Sequence, residues 1–292
     1  MSFRGQSGGL TRRKAVKCIA GLWPWACCPL AGQGAQAGQP RSTWLPARSQ
    51  GSRYNGSRLD FTVGQNRAFL LLPAERFSGR AQPWIWYAPT FYGKNPDERH
   101  AWMFTRLLEK RLAIAGVDVG ESWGNPEGRR VYTRFHARLV EEHGLSPKAC
   151  LLPISRGGLM LYNWAAENPR HVQCIGGIYP FVNLLSFSRG LADIANAYSM
   201  NEADFRAKIS LHNPIDNLRP LAERRVPILH LHGEKDTVLP FEQNSGELGR
   251  RYAALGARAE IVIIYGKGHE VCPEFWESRT LVDFLISRGL GS

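Results

Sequence analysis

Residues 149–154 read Ala-Cys-Leu-Leu-Pro-Ile, and Ser155-Arg156-Gly157-Gly158 follows with no linker. An unbroken apolar segment, Leu159 to Ala166, comes next, and a second apolar run spans about 172–179. An apolar run of this length reads as a strand covered on both faces, and the longer segment after the turn reads as a buried helix. Strand, tight turn, helix and second covered strand make one unit of a parallel sheet. A turn that sharp can lift a serine hydroxyl clear of the sheet's carboxyl edge, where a nucleophile is useful.

The same rhythm extends in both directions. A hairpin is expected from Leu59–Val63 to Ala68–Leu72, with Gly64-Gln65-Asn66 between the strands. Trp84–Tyr87 reads as a short aromatic strand. Residues 97–111 place Trp102, Phe104, Leu107 and Leu108 at helical spacing. A strand at Ile114–Val119, a Gly/Pro loop at 120–128 and a helix over about 129–142 precede the central unit. After it, residues 181–224 break the alternation and read as an inserted lid. Strand 226–232, helix 242–255, strand 259–265 and helix 275–287 then resume it. The expected class is α/β, with a mostly parallel central sheet, helices on both faces and a small lid. Right-handed crossovers put the strand carboxyl ends on one rim, where ligands collect.

Three further features bound the reading. The formal net charge is +12, and five of those charges, Arg4, Arg12, Arg13, Lys14 and Lys17, lie in the first 37 residues, which hold no acid. The other basic residues are scattered beside acids, as in Glu109-Lys110-Arg111, which favours a solvated surface over a nucleic-acid footprint. Arg12-Arg13-Lys14, the apolar stretch from Cys18 to about Ala31 and Ala35-Gln36-Ala37 together read as an export signal over residues 1–37. Thr11-Arg12-Arg13-Lys14 resembles a twin-arginine signal. The apolar stretch is short for a membrane span and contains Pro24 and Pro29, so no stable membrane anchor is expected. Residues 38–57 read as a flexible lead-in to a domain over 58–292. Cys150, Cys174 and Cys272 form neither a disulfide framework nor a paired zinc motif, and a periplasmic or secreted location is expected.

Two serines compete as nucleophile. Gly120-Glu121-Ser122-Trp123-Gly124 fits the G-x-S-x-G pattern by letter, but Asn125-Pro126 follows where a helix should start at once. Ser155 has the right context, a strand before and Gly157-Gly158 after, although Pro153 stands where the first glycine belongs. A serine hydroxyl needs a base, and the base needs an orienting acid. His269, in Gly266-Lys267-Gly268-His269 after an apolar strand, is the expected base. Asp236, in the turn after strand 226–232, is the expected acid, with Glu234 its nearest competitor. Asp118 reads as a loop organiser or substrate contact. Oxyanion donors are expected from the backbone N–H of Arg156 and of Thr90 or Phe91, since Pro89 has none. Trp86, Phe91, Trp123, Tyr179 and Phe181 are aromatic residues near the rim that could line a substrate site. His230 and His232 share one strand face, but two histidines without a carboxylate set do not make a metal site, and none is expected.

Ser-Arg-Gly-Gly-Leu at 155–159, Asn-Trp-Ala-Ala at 163–166, His-Gly-Glu-Lys-Asp-Thr-Val-Leu-Pro at 232–240 and Gly-Lys-Gly-His at 266–269 resemble the α/β-hydrolase superfamily. Trp-Tyr-Ala-Pro-Thr at 86–90 is similar to its oxyanion loop. The resemblance covers about residues 59–288 and is strongest to exported bacterial esterase-like and prolyl-oligopeptidase-like branches. It implies a cofactor-free serine hydrolase that cleaves a carboxylic ester through an acyl-enzyme; the expected export and the aromatic residues near the rim point to acylated carbohydrate or another small-molecule ester as substrate. A prolyl-oligopeptidase-type peptidase and a non-catalytic binding protein on the same fold are the alternatives.

Overall fold

The computed structural model describes residues 54–187 and 190–291. The expected export signal and most of the expected lead-in lie outside the described residues.

Apolar patterning decides the sheet. It has eight strands: β1 (Ser57–Val63), β2 (Asn66–Leu72), β3 (Trp84–Ala88), β4 (Ala113–Val117), β5 (Ala149–Pro153), β6 (Val172–Ile178), β7 (Ile228–Gly233) and β8 (Ala259–Ile264). Their spatial order is β1-β2-β4-β3-β5-β6-β7-β8. The β1–β2 hairpin is antiparallel, β2 runs antiparallel to β4, and the remaining pairs are parallel. β3, β4 and β5 are buried at every position, as covered central strands must be.

Alternate residues feed two cores. Trp84, Trp86, Ala113, Ala115 and Leu151 face α2 (Pro126–His143), α3 (Gly157–Glu167), α6 (Arg219–Glu223) and α7 (Ser245–Ala254). Ile85, Tyr87, Ile114, Cys150 and Leu152 face α1 (Ala101–Glu109), α8 (Pro273–Trp276) and α9 (Arg279–Leu290). The segment at 181–224 contains α4 (Leu191–Ala197), α5 (Glu202–Ala207), α6 and several single 3-10 turns. Phe181, Leu184, Leu191, Ile194 and Phe205 make a third cluster over Leu159. No helix among the described residues is long and apolar enough to cross a membrane.

Two local readings change. Helix α2 starts at Pro126, three residues before its expected start. Asn125 is its N-cap, with extended backbone and Oδ1 accepting the Gly128 N–H at 2.7 Å, and proline is well suited to the first helical position. The pre-proline restriction therefore marks where the helix begins rather than excluding one. Tyr54, placed in the flexible lead-in from sequence, is 3% exposed; its ring packs on Phe104 and its hydroxyl donates to Asp97 O at 2.8 Å.

Candidate active site

Ser155 sits at the turn between β5 and α3 with φ of 49°, in the left-handed region that a bulky residue avoids. Its neighbours hold it there. The Ser155 N–H donates to Ile178 O at 3.1 Å, while Ser155 O accepts from Phe181 N at 2.8 Å and Gly158 N at 2.9 Å. The two glycines of the turn are needed for close approach. A Cβ on Gly157 would lie 2.1 Å from Ala88 O, and one on Gly158 would lie 2.4 Å from Phe181 O.

Pro153 is accommodated by a gap in the sheet. The β5–β6 register runs from Ala149 to Leu151 and resumes as a bridge between Ile154 and Ile178. Pro153, with no N–H to give, falls in that gap, and on its other side it pairs with Ala88.

The loops after β5, β7 and β8 bring three side chains into one line. Ser155 Oγ lies 2.8 Å from His269 Nε2, and His269 Nδ1 lies 2.7 Å from Asp236 Oδ2. The second oxygen, Asp236 Oδ1, accepts the Val238 and Leu239 N–H groups at 3.0 and 2.8 Å. Burial alone would raise the Asp236 carboxyl. The hydrogen bonds from His232, His269 and the Leu239 N–H outweigh it and hold the group well below the usual carboxylate range. Glu234 is exposed and accepts the Gly266 N–H at 2.9 Å, so it braces the β7 and β8 turns against each other.

Beneath Asp236 lies a polar network with a single consistent proton order. The Tyr162 hydroxyl donates to His230 Nε2 at 2.7 Å, and His230 Nδ1 donates to Ser245 Oγ at 3.0 Å. Ser245 Oγ donates to His232 Nδ1 at 2.8 Å, and His232 Nε2 donates to Leu239 O at 2.8 Å while standing 3.4 Å from Asp236 Oδ2. In this order every donor meets an acceptor. The H-x-H pair thus supports the acid's turn. Burial, with His232 adjacent, lowers His230 to about 3, so its ring is neutral. Among the described residues no group of three His, Cys, Asp or Glu is arranged to hold a metal ion. Sequence reasoning missed Tyr162 and Ser245, since a tyrosine in an apolar helix and a serine at a helix start carry no sign of a partner.

The other residues read from sequence are spread more widely. Arg156 N–H has no backbone acceptor among the described residues, and the Arg156 guanidinium pairs with Glu121 and lies over the Phe91 and Trp123 rings. Phe91 lines the same cavity as Ser155 and His269. Thr90 is buried, bridges to Asp118 and turns its hydroxyl to Tyr87 O at 3.3 Å. Tyr179 packs on His269, ring centroids 4.2 Å apart, and also lines the cavity. Phe181 does not line it: its ring belongs to the cluster over Leu159. Trp86 is a core residue under Trp164. Asp118 spends both oxygens on the loop, accepting Tyr92 N–H and Gly120 N–H at 2.8 Å each. Ser122 is buried against Gly128, with no histidine or carboxylate among its hydrogen-bond partners.

The cavity beside Ser155 has a volume of about 310 Å³ and aromatic walls. A second, open hollow of about 550 Å³ adjoins it, sharing Phe91, Asn95, Arg99 and Arg156 and adding Lys94, Asp118 and Glu121.

No family model matches the chain, and no curated protein matches it in sequence. Solved structures do resemble it. Puromycin hydrolase shares 17% identity at a TM-score of 0.61, over 82% of this chain and 40% of that one, so the chain spans well under half of that protein's length. A truncated carbohydrate esterase from gut microbiota shares 14% identity at a TM-score of 0.62, over 83% of this chain and 99% of that one. An S-formylglutathione hydrolase from Agrobacterium tumefaciens shares 15% identity at a TM-score of 0.61, over 84% of this chain and 99% of that one. With its sheet order, its strained serine turn and these likenesses, the chain has the α/β-hydrolase fold.

Proposed function

We propose that the protein is a serine hydrolase that cleaves a carboxylic ester through an acyl-enzyme. The observation that carries this reading is the unbroken line from Ser155 Oγ through His269 to Asp236, at 2.8 and 2.7 Å. His269 Nε2 takes the hydroxyl proton as Oγ attacks the ester carbonyl, and Asp236 holds the Nδ1 proton and the ring's orientation. The tetrahedral oxyanion forms beside the start of α3, where Arg156 N–H is one donor and the 90–91 backbone supplies the other. His269 returns its proton to the departing alcohol oxygen. Water, deprotonated by the same imidazole, then releases the acid and restores Ser155.

The ester reading is supported by the likeness to a carbohydrate esterase over 83% of this chain. The open hollow offers the Lys94 and Asn95 side chains as hydroxyl-binding groups, which fits a sugar as the alcohol part. We read the first 37 residues as an export signal, which sequencing the amino terminus of the mature protein checks.

Turnover of p-nitrophenyl acetate and labelling by a fluorophosphonate test the main reading. Ser155→Ala is expected to abolish both with the fold retained. No adduct on folded wild type, or loss of turnover in Ser122→Ala instead, overturns it. An aminoacyl-anilide panel separates esterase from peptidase.

A further inference from the structure

Tyr179 follows β6 directly, with φ of 32° and Pro180 next in the chain. A left-handed backbone is unfavourable for a bulky aromatic residue, and a following proline restricts it further. The Tyr179 N–H donates to Leu231 O at 2.7 Å, which fixes the residue against β7. Strain of this kind persists where the surroundings over-determine it, and it gathers at functional sites. Here it sets a ring that is 4% exposed between two others. Phe275 meets it edge to face, with centroids 4.9 Å apart, and the His269 imidazole is centred 4.2 Å away, tilted by 46°. Side by side, rings that close would overlap, so the imidazole lies over the phenol ring.

The loop that carries His269 needs such a hold, because no residue from Tyr265 to Glu274 is buried. Ahead of His269 the loop is tied to the turn after β7. Gly266 N–H donates to Glu234 Oε2 at 2.9 Å, and Lys267 O accepts the Lys235 N–H at 2.8 Å. Beyond His269, among the described residues, the hydrogen bond that reaches residues 270–272 from outside the loop comes from Tyr179. Its hydroxyl donates to Glu270 O at 3.2 Å. Burial raises the phenol above its ordinary range, against the hydrogen bond it receives from the Trp276 side chain. The hydroxyl therefore keeps its proton and remains a donor to Glu270 O. One side chain thus touches both the face of the imidazole and the main chain next to it.

His269 exchanges partners during turnover. Its Nε2 takes the Ser155 proton and then presents it to the departing alcohol oxygen, while Asp236 stays on Nδ1. Hydrogen bonds at two nitrogens lie in the plane of the ring and leave it free to tilt about the line between them. A platform against the face limits that tilt. The imidazolium formed between the two transfers is also attracted to an aromatic face within about 6 Å.

We propose that Tyr179 is a positioning residue for His269. Its ring limits the tilt of the imidazole and steadies the imidazolium, and its hydroxyl holds the main chain that follows. The inference rests on the ester-hydrolase reading above and adds which group sets the accuracy of proton delivery to the leaving oxygen.

The test compares kcat/KM for ethyl acetate and p-nitrophenyl acetate, each after subtraction of the buffer rate. The two share an acyl group and differ in how much the leaving oxygen needs a proton: p-nitrophenolate departs nearly unaided, whereas ethoxide must be protonated. Tyr179→Leu is expected to lower kcat/KM about 100-fold for ethyl acetate and about ten-fold for p-nitrophenyl acetate. Tyr179→Phe, which keeps the ring and loses the hydroxyl, should fall between wild type and Tyr179→Leu with the same ordering of the two esters. A merely structural role, through lost fold or an altered acyl cavity, lowers both esters by one factor. An equal loss therefore overturns the proposal, and so do wild-type rates in both variants. Should Tyr179→Leu fail to fold, Tyr179→Phe carries the comparison. Phenyl acetate, whose leaving group is also a stronger base than p-nitrophenolate, replaces ethyl acetate should wild type turn over the alkyl ester too slowly to follow. No turnover of any ester by wild type, with no fluorophosphonate adduct, removes the hydrolase reading and this one with it.

Discussion

At the scale of single residues, the site depends on backbone that only particular side chains permit. Gly158→Ala would place a methyl within 2.4–2.9 Å of the Phe181 backbone, and main chain cannot swing aside as a side chain can. It should cost about 2 kcal/mol or more of stability, seen as a lower urea midpoint, and should displace Ser155 as well. Asp236→Asn leaves nearly the same shape but replaces an acceptor facing His269 Nδ1 with an amide that can present a donor. A fall in kcat of about 10⁴ is expected, together with a lower melting temperature, because the ionised carboxylate stabilises the fold at neutral pH. Ser155 was legible because the turn residues around it are so restricted. Ser122 fits the letters of the motif, yet its side chain is packed against Gly128, and no pattern of letters encodes that.

At the scale of elements, strand and helix alternation was readable nearly end to end, and the differences fall at boundaries. Asn125-Pro126 is an N-cap and first turn, and the Asn125 side chain also donates to Ala197 O at 2.6 Å, tying α2 to α4. Asn125→Ala should cost about 1 kcal/mol through the lost cap, more if the tie to α4 counts, measurable by urea titration. Ser245, at the start of α7, binds histidines from β7 on both sides of its hydroxyl. Ser245→Ala leaves two buried ring nitrogens unpaired. A loss of about 1–3 kcal/mol is expected, together with a fall in kcat far smaller than that of Asp236→Asn, because the acid's turn is loosened rather than removed. Nothing in the sequence links position 245 to 230 and 232; the packing of α7 on the sheet does.

At the scale of the whole molecule, burial of neutral histidines makes stability depend on pH. His230 is lowered to about 3 and His100 and His136 to about 4, all chiefly by burial, against about 6.5 in the unfolded chain. Between those values the unfolded chain binds more protons, so stability is full above about pH 6.5 and falls as the pH drops toward about 3. Each such group contributes a slope of up to about 1.4 kcal/mol per pH unit. The Asp236 carboxylate, lowered in the fold, adds a further loss once the pH falls below about 4. Urea midpoints at pH 7 and pH 5 check the sign, and equal midpoints would contradict it. The scattered basic residues also gather in three dimensions: Lys148, Arg170, Arg224 and Arg288 line one hollow of about 720 Å³ at the amino edge of the sheet, opposite Ser155.

The sequence by itself determined the local identities: which runs are covered strands, where the serine turn lies, and which acid and which histidine follow a strand's carboxyl end. These are properties of neighbours in the chain, set by side-chain periodicity and by the few residues a sharp turn tolerates. Tertiary structure alone decided that Tyr162 and Ser245 underpin Asp236, that Phe181 faces the cluster over Leu159 rather than the cavity, and that His100 and Trp276 share its floor. Those contacts join residues up to 176 positions apart, and each arises from the packing of whole elements on the sheet, which no local pattern records.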